Sequence, residues 1–367
     1  MKFSVSRDAL LKPLNLVAGV VERRQTLPVL SNVLLNLDAD RLSITGTDLE
    51  VELVGRLQLA APGESGEITV PARKLAEICK SLSEGATIDV AVRDGKATLR
   101  SGRSRFTLAT LPAREFPNIE DSIGTHQITL RQAQLRRLIE RTGFAMAQQD
   151  VRFYLNGMYW ELRDGRLRAV ATDGHRLAVC TLPEALGGME DVSVIVPRKG
   201  VLELARLMQN DDEEVVIILG SNHVRATTAD FTFTSKLVDG KFPDYERVLP
   251  RAADKTVVGS RSELRQAFTR AAILSNEKYR GVRLHLSDSN LSIIANNPEQ
   301  EQAEEEVPVS YSGEDLEVGF NVSYLLDVLG VLDGDSVRVS LADANSSALL
   351  EEVEGGDCLY VVLPMRL

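Results

Sequence analysis

The chain has 367 residues, 44% of them apolar and 26% charged, and a formal net charge of −11. That length exceeds one ordinary core at about 100–150 residues per domain, and no run approaches the roughly 20 apolar residues of a bilayer-spanning helix. The start, Met1-Lys2-Phe3-Ser4-Val5-Ser6-Arg7, has no continuous apolar segment, so no secretory signal is expected. Cys79, Cys180 and Cys358 are scattered, without CxxC spacing, and predict packed thiols in a reducing cytoplasm rather than a metal site or a disulfide.

The first predicted element is an amphipathic helix over 7–24, followed by strands and a turn that hold Leu42 and Thr47-Asp48. From Val70-Pro71 a second helix, 72–82, places Leu75, Ile78, Cys79 and Leu82 at i, i+3, i+4 and i+7, one buried stripe. The polar turn Ser83-Glu84-Gly85, a β-rich run at 87–92 and the Pro-containing linker 116–120 complete the set. The succession then returns. A helix over 131–149 leads to Leu167 and Thr172-Asp173, and Val196-Pro197 opens a helix, 198–208, striped by Val201, Leu204, Ala205 and Met208. The turn Asn210-Asp211-Asp212, a β-run at 215–219 and the linker Phe242-Pro243-Asp244-Tyr245-Glu246 follow.

It returns a third time. A helix over 261–280 precedes Leu291 and Asn296-Asn297, and Phe320-Asn321 opens a helix, 322–332, striped by Leu325, Val328, Leu329 and Leu332. The turn Asp333-Gly334-Asp335 and a β-run at 337–341 close it, and the sequence stops at Leu367 where a linker would begin. Three tandem domains are therefore expected, 1–125, 126–254 and 255–367. Each would hold two helices and roughly eight strands, with the helices on one side in an α+β arrangement.

Charge is unevenly spread over this pattern. The six predicted helices hold 19 Lys and Arg against eight Asp and Glu, a surplus of +11 that leaves −22 on the remainder. Glu is as good a helix former as Lys or Arg, so propensity does not explain the segregation. A basic helix layer on an acidic body predicts an anionic polymer against the helices, held by sequence-independent, salt-sensitive phosphate contacts.

Catalytic motifs are missing: there is no GxxxxGK[ST], GxGxxG, HExxH or GxSxG. His126, His175, His223 and His285 stand singly, the acid pairs Asp38/Asp40 and Asp333/Asp335 flank turns, and the runs at 211–214 and 304–306 read as solvated faces. The nearest approach to an active site is Thr172-Asp173-Gly174-His175-Arg176-Leu177, where Asp173 and His175 could be drawn as an acid–base pair of a hydrolase. Thr47-Asp48 recurs at the same columns without a histidine, which assigns the Thr-Asp pair to the fold. What is peculiar to the second copy is Gly174-His175-Arg176, and what is peculiar to the third is the apolar end at 361–367, either packed core or a binding surface.

Thr172-Asp-Gly-His-Arg-Leu-Ala-Val-Cys180, Ala271-Ala-Ile-Leu-Ser-Asn-Glu-Lys278 and Pro364-Met-Arg-Leu367 carry a resemblance. With them the chain resembles, from end to end, the bacterial DNA polymerase III beta subunits, the β sliding clamps. The resemblance implies a non-catalytic processivity subunit without cofactor or metal. Two chains would join head to tail into a six-domain ring around double-stranded DNA, with helices lining the hole and sheets outside. Implied partners are the replicative polymerase's catalytic subunit, the clamp loader, repair and translesion polymerases and mismatch-repair proteins. They would insert short peptides, bearing a glutamine and apolar residues, into one pocket per chain.

That pocket maps to Leu155, Thr172, Gly174, His175, Arg176, Leu177, Pro243, Arg247, Val248, Asn321, Tyr324, Ser347, Val361, Met365 and Arg366. DNA contacts map to Arg24, Arg73, Gln149, Phe153 and Tyr154, with Phe153 standing where the family pattern suggests Tyr. The chain–chain interface maps to Lys74, Arg103, Arg105, Phe106 and Leu108 against Ile273 and Leu274. A nucleic-acid-binding scaffold that forms no ring is the competing expectation. It shares the basic helices but has no need of matched domains.

Overall fold

The computed structural model describes the chain except residues 22–26, 118, 120–123, 125, 187–189, 251–252 and 367. The first copy runs β1 (Lys2–Ser6), α1 (Arg7–Val17), β2 (Asn32–Asp38), β3 (Arg41–Thr47), β4 (Val51–Gln58), β5 (Gly66–Pro71), α2 (Ala72–Ser81), β6 (Thr87–Arg93), β7 (Lys96–Ser101) and β8 (Ser104–Ala109). The second runs β9 (His126–Arg131), α3 (Gln132–Thr142), β10 (Gly157–Arg163), β11 (Arg166–Thr172), β12 (Arg176–Thr181), β13 (Val192–Pro197), α4 (Arg198–Leu207), β14 (Glu214–Leu219), β15 (His223–Thr227) and β16 (Phe231–Lys236). The third runs β17 (Lys255–Ser260), α5 (Arg261–Ala272), β18 (Gly281–Ser287), β19 (Asn290–Asn296), β20 (Gln302–Pro308), β21 (Leu316–Asn321), α6 (Val322–Val331), β22 (Ser336–Leu341), β23 (Ala348–Glu352) and β24 (Cys358–Val362). One order thus recurs three times: strand, helix, four strands, helix, three strands.

Local chemistry sets the helix ends. Ser6 and Ser260 accept the amides of Ala9 and Glu263 at 3.2 and 3.4 Å, and Asn321 accepts that of Ser323 at 2.9 Å, each satisfying an orphan donor of the first turn. The first helix of each copy stops at Val17, Thr142 and Ala272, short of the 24, 149 and 280 that periodicity suggested. After Thr142 the chain tightens into a 3-10 turn, Gly143–Ala145, and Ala145 and Met146 remain buried, so apolar spacing outlasts the helix. After Ala272 the Ser275 hydroxyl donates to the Ala272 carbonyl at 2.8 Å, and Asn276 accepts the amides of Lys278 and Tyr279, closing α5 with local bonds. The second helices largely follow their predicted stripe: Leu75, Cys79, Val201, Leu204, Met208, Leu325, Val328, Leu329 and Leu332 are buried, while Ile78, Leu82 and Ala205 are half-buried.

The chain forms two compact units whose border falls within α3 and α4, not between copies. Unit 1, Met1–Leu135 with Leu202–Leu237, holds a four-stranded sheet, β1-β6-β7-β8, and an eight-stranded sheet, β5-β2-β3-β4-β16-β15-β14-β9. There α1 lies against β1, β3 and β4, while α2 packs on α1, β2 and β5. Unit 2, Arg136–Val201 with Val238–Leu367, holds the eight-stranded sheet β13-β10-β11-β12-β24-β23-β22-β17 and the four-stranded sheet β20-β19-β18-β21. Its α5 lies against β17, β19 and β20, and α6 against α5, β21 and β24.

Each eight-stranded sheet joins strands of one copy to strands of the next. β4 pairs antiparallel with β16, placing Glu52 opposite Thr234, and β12 pairs with β24, placing Leu177 opposite Val361. The second pairing also brings Cys180 opposite Cys358, with Cα atoms 4.1 Å apart, and the two are disulfide-bonded. This corrects the expectation of three free thiols: the partners lie 178 residues apart, and only pairing between copies brings them together. Cys79 remains a buried free thiol, pushed up to about 11 by desolvation. Among the described residues no helix is long and apolar enough to cross a bilayer.

Candidate functional site

The turn joining β11 to β12 shows what its repeated residues do. The Thr172 hydroxyl donates to the Arg176 carbonyl at 2.6 Å and accepts the Gly174 amide at 3.1 Å. The Asp173 carboxylate accepts the amides of His175 and Arg176 at 2.9 and 3.1 Å. In the first copy Thr47 donates to the Val51 carbonyl and accepts the Leu49 amide, and Asp48 accepts the amides of Glu50 and Val51. The bonds correspond one for one, so Thr-Asp is the turn's own scaffold. Asp173 spends both oxygens on it, the second on Arg176 Nε at 3.1 Å, which leaves the hydrolase pairing with His175 without a physical basis.

What differs is what the turn presents. Gly174 sits at φ +88, and a Cβ there would stand 3.0 Å from the Arg152 guanidinium, so glycine answers both the backbone and the neighbour. Arg152 in turn binds Asp150 through Nε and Nη2 at 3.0 and 2.9 Å and holds its carboxyl down at about 2. The exposed His175 ring lies 6.4 Å from that of Tyr324 on α6. Arg176 points inward. It donates to Asp173, Asp327 and the Phe144 carbonyl, and its guanidinium lies 4.5 Å from the Tyr324 ring centre and 5.3 Å from that of Phe144. With His175 and Tyr324 it also lines a cavity of about 480 Å3, so the same side chain braces the turn and faces the cavity.

The second departure meets the first here. Beyond β24 the Leu363 amide donates to the His175 carbonyl at 3.0 Å and the Met365 amide to the Gly319 carbonyl at 2.9 Å. The apolar tail is packed at its start and open at its end: Val361 is buried, Met365 half-buried and Arg366 exposed. Leu155, Leu177 and Val361 share one apolar cluster with Phe242 and Tyr245. Pro243, Arg247 and Val248 stand exposed beside it, Val248 at 42%. Asn321 spends its side chain capping α6, and Ser347 is half-buried just before β23.

Phe242 and Tyr245 were not singled out from sequence, although the linker repeat contained them. Tyr245 donates to Glu161 at 2.8 Å and accepts from Arg168 at 2.6 Å, which pins the linker to the sheet, and burial pushes its phenol up to about 12.

The expected DNA contacts fall in two places. Arg73, exposed on α2, binds Glu77 one turn on at 2.8 Å. Gln149, at φ +54, and Phe153, 57% exposed, lie with half-buried Tyr154 in the segment after the 3-10 turn of the second copy. Arg24 lies outside the described residues. Part of the helical surplus is spent inside the chain: Arg137 pairs with Asp357 at 3.4 Å, and Arg141, 5% exposed, with Asp333 and Glu352. Still, α2 carries Arg73, Lys74 and Lys80 against Glu77. Along α5, Arg261, Arg265, Gln266, Thr269 and Arg270 line an open groove of about 410 Å3.

Of the expected interface residues, Arg103 and Arg105 flank or lie on the edge strand β8 and are exposed. Phe106 is half-buried, Leu108 is already 7% exposed within the chain, Ile273 stands 75% exposed just past α5, and Leu274 is half-buried. Lys74 is exposed on α2. No group of three or more His, Cys, Asp or Glu that could hold a metal occurs among the described residues.

Comparison with known proteins follows the same lines. Family models described as the N-terminal, central and C-terminal domains of the DNA polymerase III beta subunit match residues 1–120, 129–244 and 246–366. A beta sliding clamp of Pseudomonas aeruginosa is 64% identical over 367 residues, and one of Escherichia coli K12 is 54% identical, each alignment covering both chains in full. The crystal structure of the Pseudomonas aeruginosa DNA polymerase III subunit beta superposes with a TM-score of 0.98 at 64% identity, covering all of both chains. That of a Caulobacter crescentus beta sliding clamp gives 0.95 at 40% identity, covering all of this chain and 99% of the other.

Proposed function

We infer the function from the fact that this chain belongs to the DNA polymerase III beta subunit family: it is a DNA sliding clamp for the replicative polymerase. It is a processivity factor and catalyses nothing itself. The reading that follows is that two chains close head to tail around double-stranded DNA, in the cytoplasm, with domains 1–125, 126–254 and 255–367 as the repeating parts.

One observation carries the closure. Inside the chain, β4 pairs with β16 and β12 with β24, so a four-strand group of one copy completes a four-strand group of the next. Two half-sheets are left over, β1-β6-β7-β8 at the start and β20-β19-β18-β21 at the end, with β8 and β20 as free edges. An unpaired edge is a template for another strand, and the same rule seats β20 of one chain on β8 of its partner. By the register of the internal junctions, Glu304 then stands opposite Arg105 and Glu306 opposite Arg103, opposite charges on exposed positions. A heterologous contact of this kind closes only if its rotation fits. Six like junctions in two chains supply that rotation, which a scaffold without a ring would not need.

DNA holding is then topological, with Arg24, Arg73, Gln149, Phe153 and Tyr154 as weak direct contacts. The polymerase, the clamp loader and repair proteins dock at the apolar groove around Leu155, Thr172, Leu177, Pro243, Val248, Val361 and Met365. His175 and Gly174 form its wall, Arg176 and Asn321 brace it, and Arg247, Tyr324, Ser347 and Arg366 stand around it. Solution mass tests the closure: a dimer at nanomolar concentration is expected, and a chain that stays monomeric at micromolar concentration contradicts it.

A further inference from the structure

The groove of unit 2 has a counterpart in unit 1 that occupies the same place in the repeat but carries different chemistry. In unit 2 one row crosses three strands: Leu177 on β12, Val361 on β24 and Leu349 on β23, each opposite the next. In unit 1 the same row crosses β4, β16 and β15 as Glu52, Thr234 and Arg225. The linkers match as well, with Phe116-Pro117 against Phe242-Pro243. The unit 1 site is a real concavity: a cavity of about 570 Å3 is lined by Thr45, Glu52, Arg56, Arg225, Phe116 and Pro117 among others.

The difference between the two units lies in the row itself. Glu52 is 8% exposed and Thr234 1%, and the Arg225 Nε donates to the Thr234 hydroxyl at 3.2 Å. An apolar anchor reaching that row would cover the charged Glu52 and Arg225, although Phe116 and Pro117 stand at the side, whereas in unit 2 the row itself is leucine and valine. At the chain–chain junction proposed above, the corresponding row would read Gln302, Thr107 and Thr98, polar again.

We infer that Glu52, Thr234 and Arg225 are specificity-determining residues that close the unit 1 groove to partner peptides, so that each chain engages one partner where its repeat would permit more. The inference rests on the peptide-docking reading of unit 2. Its test copies the unit 2 row into unit 1, as Glu52→Leu/Thr234→Val/Arg225→Leu. A second variant, Glu52→Leu/Arg225→Met, keeps the length of the arginine stem in case the first does not fold. Both are titrated as full dimers with a fluorescein-labelled peptide holding one glutamine and two leucines, with fold and mass checked in parallel.

The unchanged protein should saturate at one peptide per chain and a folded variant at two, with the new site at least tenfold tighter than any residual binding to unit 1 of the unchanged protein. Saturation at one in both folded variants, or at two in the unchanged protein, overturns the inference. No binding to the unchanged protein overturns the docking reading itself, and the inference with it. Should neither variant fold, the reciprocal Leu349→Arg in unit 2 decides: it should lower peptide affinity at least tenfold, and unchanged affinity overturns the inference.

Discussion

The Leu363 amide donates to the carbonyl of His175 across 3.0 Å, and that bond ties the two places where the sequence departs from its own repeat. The turn of the second copy and the tail of the third, 188 residues apart in sequence, thus form one wall. Removing Met365, Arg366 and Leu367 strips the half-buried methionine from it while leaving β24 and its pairing with β12 in place. Peptide affinity should fall at least tenfold, about 1.4 kcal/mol, with dimer mass unchanged. Fluorescence titration beside sedimentation measures both, and equal affinity for the two forms would remove the tail from the site.

Arg176 braces that wall, with its side chain 12% exposed and bonds to Asp173, Asp327 and the Phe144 carbonyl. Replacing it with Met keeps the stem but takes the charged partner from the half-buried Asp173 carboxylate and the donor from the Phe144 carbonyl. Urea unfolding should show a loss of about 2–4 kcal/mol, larger than for Asp327→Asn, because Asp327 is exposed. A loss below about 0.5 kcal/mol would show that the arginine is not a brace.

At the proposed chain–chain edge, Arg105→Glu or Glu304→Arg alone puts like charges face to face. Each should weaken the dimer by about 1–3 kcal/mol per interface at low salt, and the two together should restore most of the loss. Sedimentation of both singles and the double checks the register. If the double is as weak as the sum of the singles, these two residues do not face each other.

Direct DNA contact is expected to be a minor part of holding. Arg24→Ala/Arg73→Ala should remove about two phosphate contacts and flatten the salt dependence of DNA binding by a slope of about two. Loading onto circles should slow while retention after loading stays nearly constant. Arg73 already shares its guanidinium with Glu77, so a smaller change is expected from Arg73→Ala alone.

The repeat was legible because it rests on local chemistry: apolar stripes at helical spacing and the Thr-Asp turn act within a few residues. Comparison between copies was the sharpest tool, since the bonds of Thr47-Asp48 and Thr172-Asp173 correspond one for one. The first helices were read too long because buried residues such as Met146 continue the spacing after the α-helical bonds have stopped. Pairing between copies has no local signal, so neither the eight-stranded sheets nor the bond between Cys180 and Cys358 could be read. The inward turn of Arg176 was hidden for the same reason: Asp327 lies 151 residues away.

The central claim is that two chains enclose DNA instead of gripping it, and retention on circular against linear duplex tests it most directly. Protein loaded onto a nicked circle should stay through gel filtration at a salt concentration that abolishes phosphate contacts, and should leave within minutes once one cut linearises the circle. Equal loss from circles and linear molecules at that salt would contradict enclosure and leave only a surface-binding protein.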